Sequence, residues 1–216
     1  AQVIEDYCTT PQFKSTEIDK PQELGVNQVL VKMKVTSLNR GDTIIRRGGA
    51  KMIYKLKMPC VLGMEGSGTV EKVGSNVTKF QSGDDIILLY QNARSGTCAE
   101  YAVCEEDELV MKPHEMSFEQ AAVLPTIGAT ALEMFRKHPS ICKILDDEIE
   151  YVMENGKLSE VPTERPDLKI LVIGASGGCG MACILLAKGF LSRYFNVKVY
   201  GVCSERNTNV VASLGT

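Results

Sequence analysis

The 216-residue chain is long enough for one large domain or two small ones. With 44% hydrophobic and 24% charged residues it is neither disordered nor fibrous, and a net charge of −3 argues against a nucleic-acid surface, which needs a basic face. No run approaches the ~18 apolar residues that cross a bilayer, and the opening AQVIEDYC lacks a signal-peptide layout. These readings predict a cytoplasmic protein, with the mitochondrion as the alternative, acting on a small molecule. Its eight cysteines have no framework spacing and are expected as free thiols.

In chain order, the first strong element is QVLVKMKV from residue 28. Its alternation points Val29, Val31, Met33 and Val35 one way and Leu30, Lys32 and Lys34 the other, a half-buried strand. Further strands are predicted at TVEKV, DIILLY, CAEYAV and DELVMK, separated by turn clusters such as QSGDD and NARSG. The first part therefore reads as a mostly β domain.

At Ser117 the texture changes. SFEQ offers a capping box, and helical segments follow, broken at Pro125 and resuming from about Gly128 to His138. Residues 139–165 form an acidic helical insertion. Ile141, Ile144, Leu145, Ile149, Val152 and Met153 recur at helical spacing, while Asp146, Asp147, Glu148, Glu150 and Glu154 read as a solvated face, with partner docking as the alternative.

After Pro166, LKILVIG reads as a buried strand, then a glycine cluster, helix formers, a second strand VKVYGVCS and a helix start in ERNTNVVASLGT. A strand ending in Gly174-Ala175-Ser176-Gly177-Gly178-Cys179-Gly180 and opening a helix suits a dinucleotide. Glycines bend the turn and admit a pyrophosphate, and the helix N-terminus supplies N–H donors. A structural tight turn is the competing reading.

Beyond the second strand stand Cys203-Ser204-Glu205-Arg206-Asn207. Ser204 and Arg206 suit the 2′-phosphate of NADPH, since a guanidinium forks onto phosphate oxygens, and Asn207 is expected beside them as a further cofactor contact. Glu205 is the alternative, a ribose acceptor for NADH. The insert GFLSRYFN lengthens the interval between glycine turn and ribose reader beyond the usual ~20 residues. Cys179 and Cys183 enclose three residues where a redox pair has two, so packing is their expected role.

Three stretches in order, VLGMEGSGTVEKVGSNVTKFQSGDDI, AAVLPTIGATAL and the Ala-Ser-Gly-Gly-x-Gly turn, resemble the medium-chain dehydrogenase/reductase superfamily. The resemblance is to its zinc-independent quinone oxidoreductase branch, which includes zeta-crystallin. It implies a GroES-like β domain over 1–125 and a partial Rossmann domain, a doubly wound parallel sheet, over 126–216, with the active site in the cleft between them. It also implies a nicotinamide cofactor, for which Ser204 and Arg206 favour NADPH over NADH, a quinone or enone as substrate, and a homodimeric parent enzyme. At the positions where zinc-bearing relatives place ligands, this chain has Asn39, Met64 and approximately Thr126, and the structural zinc lobe is missing, so no zinc is expected. His114 and His138, near helix edges, are expected at the surface.

Without a metal, the chemistry shifts to acceptors whose reduction leaves a phenolate or enolate already stabilised by conjugation. The resemblance assigns Asn39 to the substrate oxygen, with a loop-capping side chain as the alternative. Asp42 and Arg46 are expected to shape the cleft or pair at its rim. Tyr54 is a candidate proton donor or a packed tyrosine, and Thr126 and Gly128 are expected at the nicotinamide end. Glu65, between glycines in LGMEGSGTV, is expected to be a structural carboxylate held by local backbone or arginine donors rather than a general base. The family continues past Thr216, so the 216-residue chain is expected to be truncated, with weak or absent turnover. The competing class is non-catalytic: a nucleotide sensor, a lens-type structural protein or a trafficking relative that kept the fold.

Overall fold

The computed structural model describes residues 1–7, 14–53, 56–91 and 96–216. The chain divides into two compact units, Ala1–Thr126 and Ile127–Thr216.

In unit 1 the strands are β1 (Gln2–Ile4), β2 (Lys14–Ser15) and β3 (Gln28–Ser37), then, after helix α1 (Arg40–Arg46), β4 (Cys60–Val61), β5 (Glu65–Val73), β6 (Asp85–Leu89), β7 (Tyr101–Glu105) and β8 (Leu109–Met111). Five of them form an antiparallel sheet in the order β7-β3-β5-β6-β8, and three form a smaller sheet in the order β2-β1-β4. Val29 and Val31 enter the core with Val70, Ile86, Leu88 and Cys104, as their alternation predicts. Leu30, read as outward, is buried as well, because the opposite face of β3 is covered at that end.

The strand expected at CAEYAV begins only at Tyr101, and the first two residues of DELVMK, Asp107 and Glu108, belong to the 3-10 turn Glu106–Glu108 rather than to a strand. The NRGDTIIRRGG segment, read only for its polar groups, contains α1.

Helix α2 (Phe118–Ala122) opens on the expected capping box: Gln120 N–H donates to Ser117 Oγ at 3.2 Å, and Ser117 N–H to Gln120 Oε1 at 3.0 Å. The break expected at Pro125 falls earlier. Helix α3 (Leu124–Arg136) takes Pro125 into its first turn, where its missing N–H costs nothing.

Unit 2 continues with α4 (Pro139–Asn155), β9 (Asp167–Ile173), α5 (Gly178–Gly189), β10 (Asn196–Val202) and α6 (Thr208–Ser213). Strands β9 and β10 pair in parallel, Leu168 opposite Val197 and Val172 opposite Gly201. Their inner residues Val172 and Val199 join Ile184, Ala187, Leu191 and Val211 in one core. On the other face Leu171, Ile173, Tyr200 and Val202 are exposed, unlike the two covered faces usual in parallel sheets.

Helix α4 corrects the predicted stripe. Ile141 and Leu145 are buried, but Ile149 and Met153 are 46% and 83% exposed. Glu148, assigned to the solvated face, is 5% exposed. At seven residues from Ile141 it lies on the buried side of the helical period.

Candidate active site and cofactor turn

In unit 1 the polar residues singled out from sequence converge on Glu65. It opens β5, is fully buried, and uses both carboxylate oxygens. Asn39 Nδ2 donates to Oε1 at 2.5 Å, and the backbone N–H of Thr126 donates to Oε2 at 2.6 Å. Thr126 stands in the first turn of α3, where the helix leaves N–H groups open and favours negative charge. The Glu65 carbonyl accepts from the hydroxyls of Thr36 and Thr97 at 3.0 and 2.9 Å. Glu65 is thus a structural carboxylate, but its recorded side-chain donors are distant in sequence rather than local backbone.

Asn39 precedes α1 as its N-cap, yet its amide nitrogen turns to Glu65. A carboxylate oxygen only accepts, so Nδ2 must face it. The second contact of Nδ2, to Thr126 Oγ1, is marginal at 3.4 Å. One amide hydrogen is therefore committed and the other weakly held.

Asp42 and Arg46 are not rim residues. Both are 4% exposed, on the inner side of α1. Asp42 Oδ2 accepts the Asn39 backbone N–H at 2.7 Å, while Oδ1 has no hydrogen-bond partner among the described residues. Burial pushes the Asp42 carboxyl above its ordinary value and the Glu65 charge adds to this; backbone N–H groups, that of Asn39 first, offset only part. Asp42 is therefore packed beneath Asn39 and holds its backbone N–H. Tyr54 lies outside the described residues.

In unit 2 the glycine turn joins β9 to α5. Gly174 has φ +76°, a left-handed conformation, and a Cβ there would meet nothing within 4 Å. Gly180 is tight instead: a Cβ would stand 2.3 Å from the Gly174 carbonyl oxygen. Gly177 is the N-cap of α5 and has no side chain to spend on the first-turn N–H groups. Open space beside free N–H groups is the arrangement a pyrophosphate fits. Ala175 is buried beneath, Ser176 half-buried, and Gly177 and Gly178 exposed. Cys179 is half-buried in the first turn of α5, and Cys183 packs in the core with its sulfur 3.9 Å from that of Met134.

Past β10, Ser204 and Arg206 are exposed around the 3-10 turn Glu205–Asn207. Asn207 Nδ2 donates to Ser176 Oγ at 3.0 Å, tying this loop to the glycine turn.

The amide of Asn39 and the thioether of Met64 are poor zinc ligands, and no group of three His, Cys, Asp or Glu among the described residues could hold a metal ion. The seven described cysteines are free thiols, and His114 and His138 are exposed. No helix is long and apolar enough to cross a membrane among the described residues.

Sequence reading missed Thr36, Thr97 and the Asn207–Ser176 link. Only for Asn207 was there a signal, its place one residue after Arg206.

An antiparallel β unit followed by a strand, glycine turn, helix and parallel strand defines a dehydrogenase-type protein. Residues 25–115 match the alcohol dehydrogenase GroES-like domain. That match, the curated relatives and the solved structures support the medium-chain dehydrogenase/reductase superfamily, in its quinone oxidoreductase branch. It is 34% identical to the chloroplast envelope quinone oxidoreductase homolog of Arabidopsis thaliana over 88% of this chain and 50% of that protein. A zinc-type alcohol dehydrogenase-like protein of Schizosaccharomyces pombe is 35% identical over 56% of this chain and 39% of its own. The solved quinone oxidoreductase of Coxiella burnetii superposes with a TM-score of 0.76 at 27% identity, covering 100% of this chain and 60% of that one. The chain spans about half the length of the curated relatives it matches.

Proposed function

We propose that the protein is an NADPH-dependent, zinc-independent oxidoreductase that passes hydride to a quinone or an α,β-unsaturated carbonyl. The observation that carries this reading is the open glycine turn before α5, followed across β10 by exposed Ser204 and Arg206. The bound nicotinamide would supply the hydride.

The chain's own residues divide the remaining tasks. Gly174, Gly177, Gly178 and the first N–H groups of α5 receive the pyrophosphate. Ser204 and Arg206 receive the 2′-phosphate, with Glu205 as the residue that would favour a free ribose hydroxyl instead. Thr126 and Gly128 are assigned to the nicotinamide end by the family pattern. The acceptor oxygen competes for the second Asn39 hydrogen, the one held only at 3.4 Å, while Glu65 keeps the amide in place through the first. A donor of this kind steadies a developing phenolate or enolate without delivering a proton.

Zinc chemistry does not fit this donor set, although some relatives carry zinc-type names. Conjugated acceptors are the substrates for which its loss matters least.

Nucleotide binding is tested on the 216-residue chain by nicotinamide fluorescence. Tighter binding of NADPH than NADH is expected, and the preference should collapse in Arg206→Ala. Turnover is then followed by NADPH absorbance with a panel of small quinones and enones. Because weak or absent turnover is expected of these 216 residues alone, the deciding result is binding without oxidation of NADPH in a protein of the relatives' length that carries this chain, which would favour a nucleotide-binding protein that retains the fold.

A further inference from the structure

The Ser176–Asn207 hydrogen bond joins the two ends of the proposed cofactor site. Ser176 belongs to the glycine turn, and Asn207 ends the 3-10 turn that carries Arg206. The contact is 3.0 Å, with the amide nitrogen of Asn207 as donor. A hydroxyl has one hydrogen to give and two lone pairs to receive. Because Ser176 Oγ receives from Asn207, its own hydrogen points elsewhere.

Among the described residues that hydroxyl donates to no protein acceptor. Its neighbours leave room for an external one, since Gly177 and Gly178 are exposed and the position of a Gly174 Cβ is empty to 4 Å. An anionic oxygen seated on the first turn of α5 is the acceptor this placement suits, and hydrogen bonds to charged oxygens are the strong ones.

We propose that Asn207 is a positioning residue for the pyrophosphate: it holds the Ser176 hydroxyl as an outward donor and makes no contact of its own with the nucleotide. This rests on the nucleotide binding proposed above and changes the part given to Asn207, which the sequence placed among direct contacts. The pyrophosphate is common to NADH and NADPH, so Asn207 strengthens both alike. Discrimination between them stays with Ser204 and Arg206.

The test is a double-mutant cycle read by nicotinamide fluorescence titration with NADPH and with NADH, each variant first checked for a cooperative thermal melt. Ser176→Ala should weaken both nucleotides about tenfold, the loss of one hydrogen bond to a charged group. Asn207→Ala should weaken both by about three- to tenfold, and the double variant should bind no worse than Ser176→Ala. Asn207→Asp presents only acceptors, turns the hydroxyl back, and should bind worse than Asn207→Ala. Multiplicative losses in the double variant, a loss confined to NADPH, or wild-type binding by Asn207→Ala or Asn207→Asp would each overturn the assignment while leaving nucleotide binding intact. A folded wild-type chain that binds neither nucleotide removes the functional reading itself, and this assignment with it.

Discussion

Glu148 in unit 2 and Asp42 in unit 1 are both withdrawn from water, at 5% and 4% exposure, and are treated in opposite ways. Glu148 receives the Ser159 backbone N–H at 2.8 Å, the Ser159 hydroxyl at 2.5 Å and the Tyr194 hydroxyl. Burial works to raise its carboxyl, but these hydrogen bonds and the Arg193 charge outweigh it and hold the group below its ordinary value. Asp42 accepts the Asn39 backbone N–H on one oxygen, has no hydrogen-bond partner on the other among the described residues, faces the charge of Glu65, and is pushed up. At similar exposure the two acids part because burial at Asp42 outweighs the backbone N–H groups that reach it, whereas Ser159, Tyr194 and the Arg193 charge together outweigh burial at Glu148.

The lesson extends to Glu65, which has a donor on each oxygen. Glu65→Ala should cost the most, about 3–5 kcal/mol, because the Asn39 amide and the Thr126 N–H lose their acceptor. Urea unfolding measures it, and a loss under ~1 kcal/mol would mean that neither donor depends on the carboxylate.

Glu148→Ala should follow at about 2–3 kcal/mol, since Ser159 and Tyr194 lose their shared acceptor. Tyr194→Phe, which removes one of the donors, should cost about 1 kcal/mol. Equal losses in the two variants would show that Ser159 contributes nothing.

The smallest effect has the opposite sign. The folded value of Glu148 is lowered, so its contribution is present above the unfolded carboxylate value and lost as pH falls through the folded one. The folded value of Asp42 is raised, so its contribution is present below the unfolded value and lost as pH rises through the folded one. Asp42→Asn should therefore stabilise by about 1 kcal/mol near neutral pH and by nothing in acid. Glu148→Gln should destabilise at neutral pH, with the difference shrinking in acid. Thermal melts of both variants across pH compare the two directly, and Asp42→Asn destabilising at neutral pH would end the contrast.

Legibility followed the range of the interaction. The β3 alternation, the Ser117 capping box and the strand, glycine turn and helix at 167–189 are local patterns, and each is present in the structure. Glu148 was legible in principle, seven residues after Ile141 on one helical face, but a run of acids concealed it among solvated neighbours. Asp42 and Arg46 gave no signal of burial, because α1 turns both inward only when the sheet is in place.

By itself the sequence determined the class of protein and the position of the nucleotide turn, since periodicity and glycine placement act over a few residues. Tertiary structure alone decided which acids lose water and which donors reach them. Glu65 meets Asn39 and Thr126 across 26 and 61 residues, and Glu148 meets Tyr194 across 46. Such hydrogen bonds depend on chain segments brought together by burial of apolar surface, and no local pattern encodes their geometry.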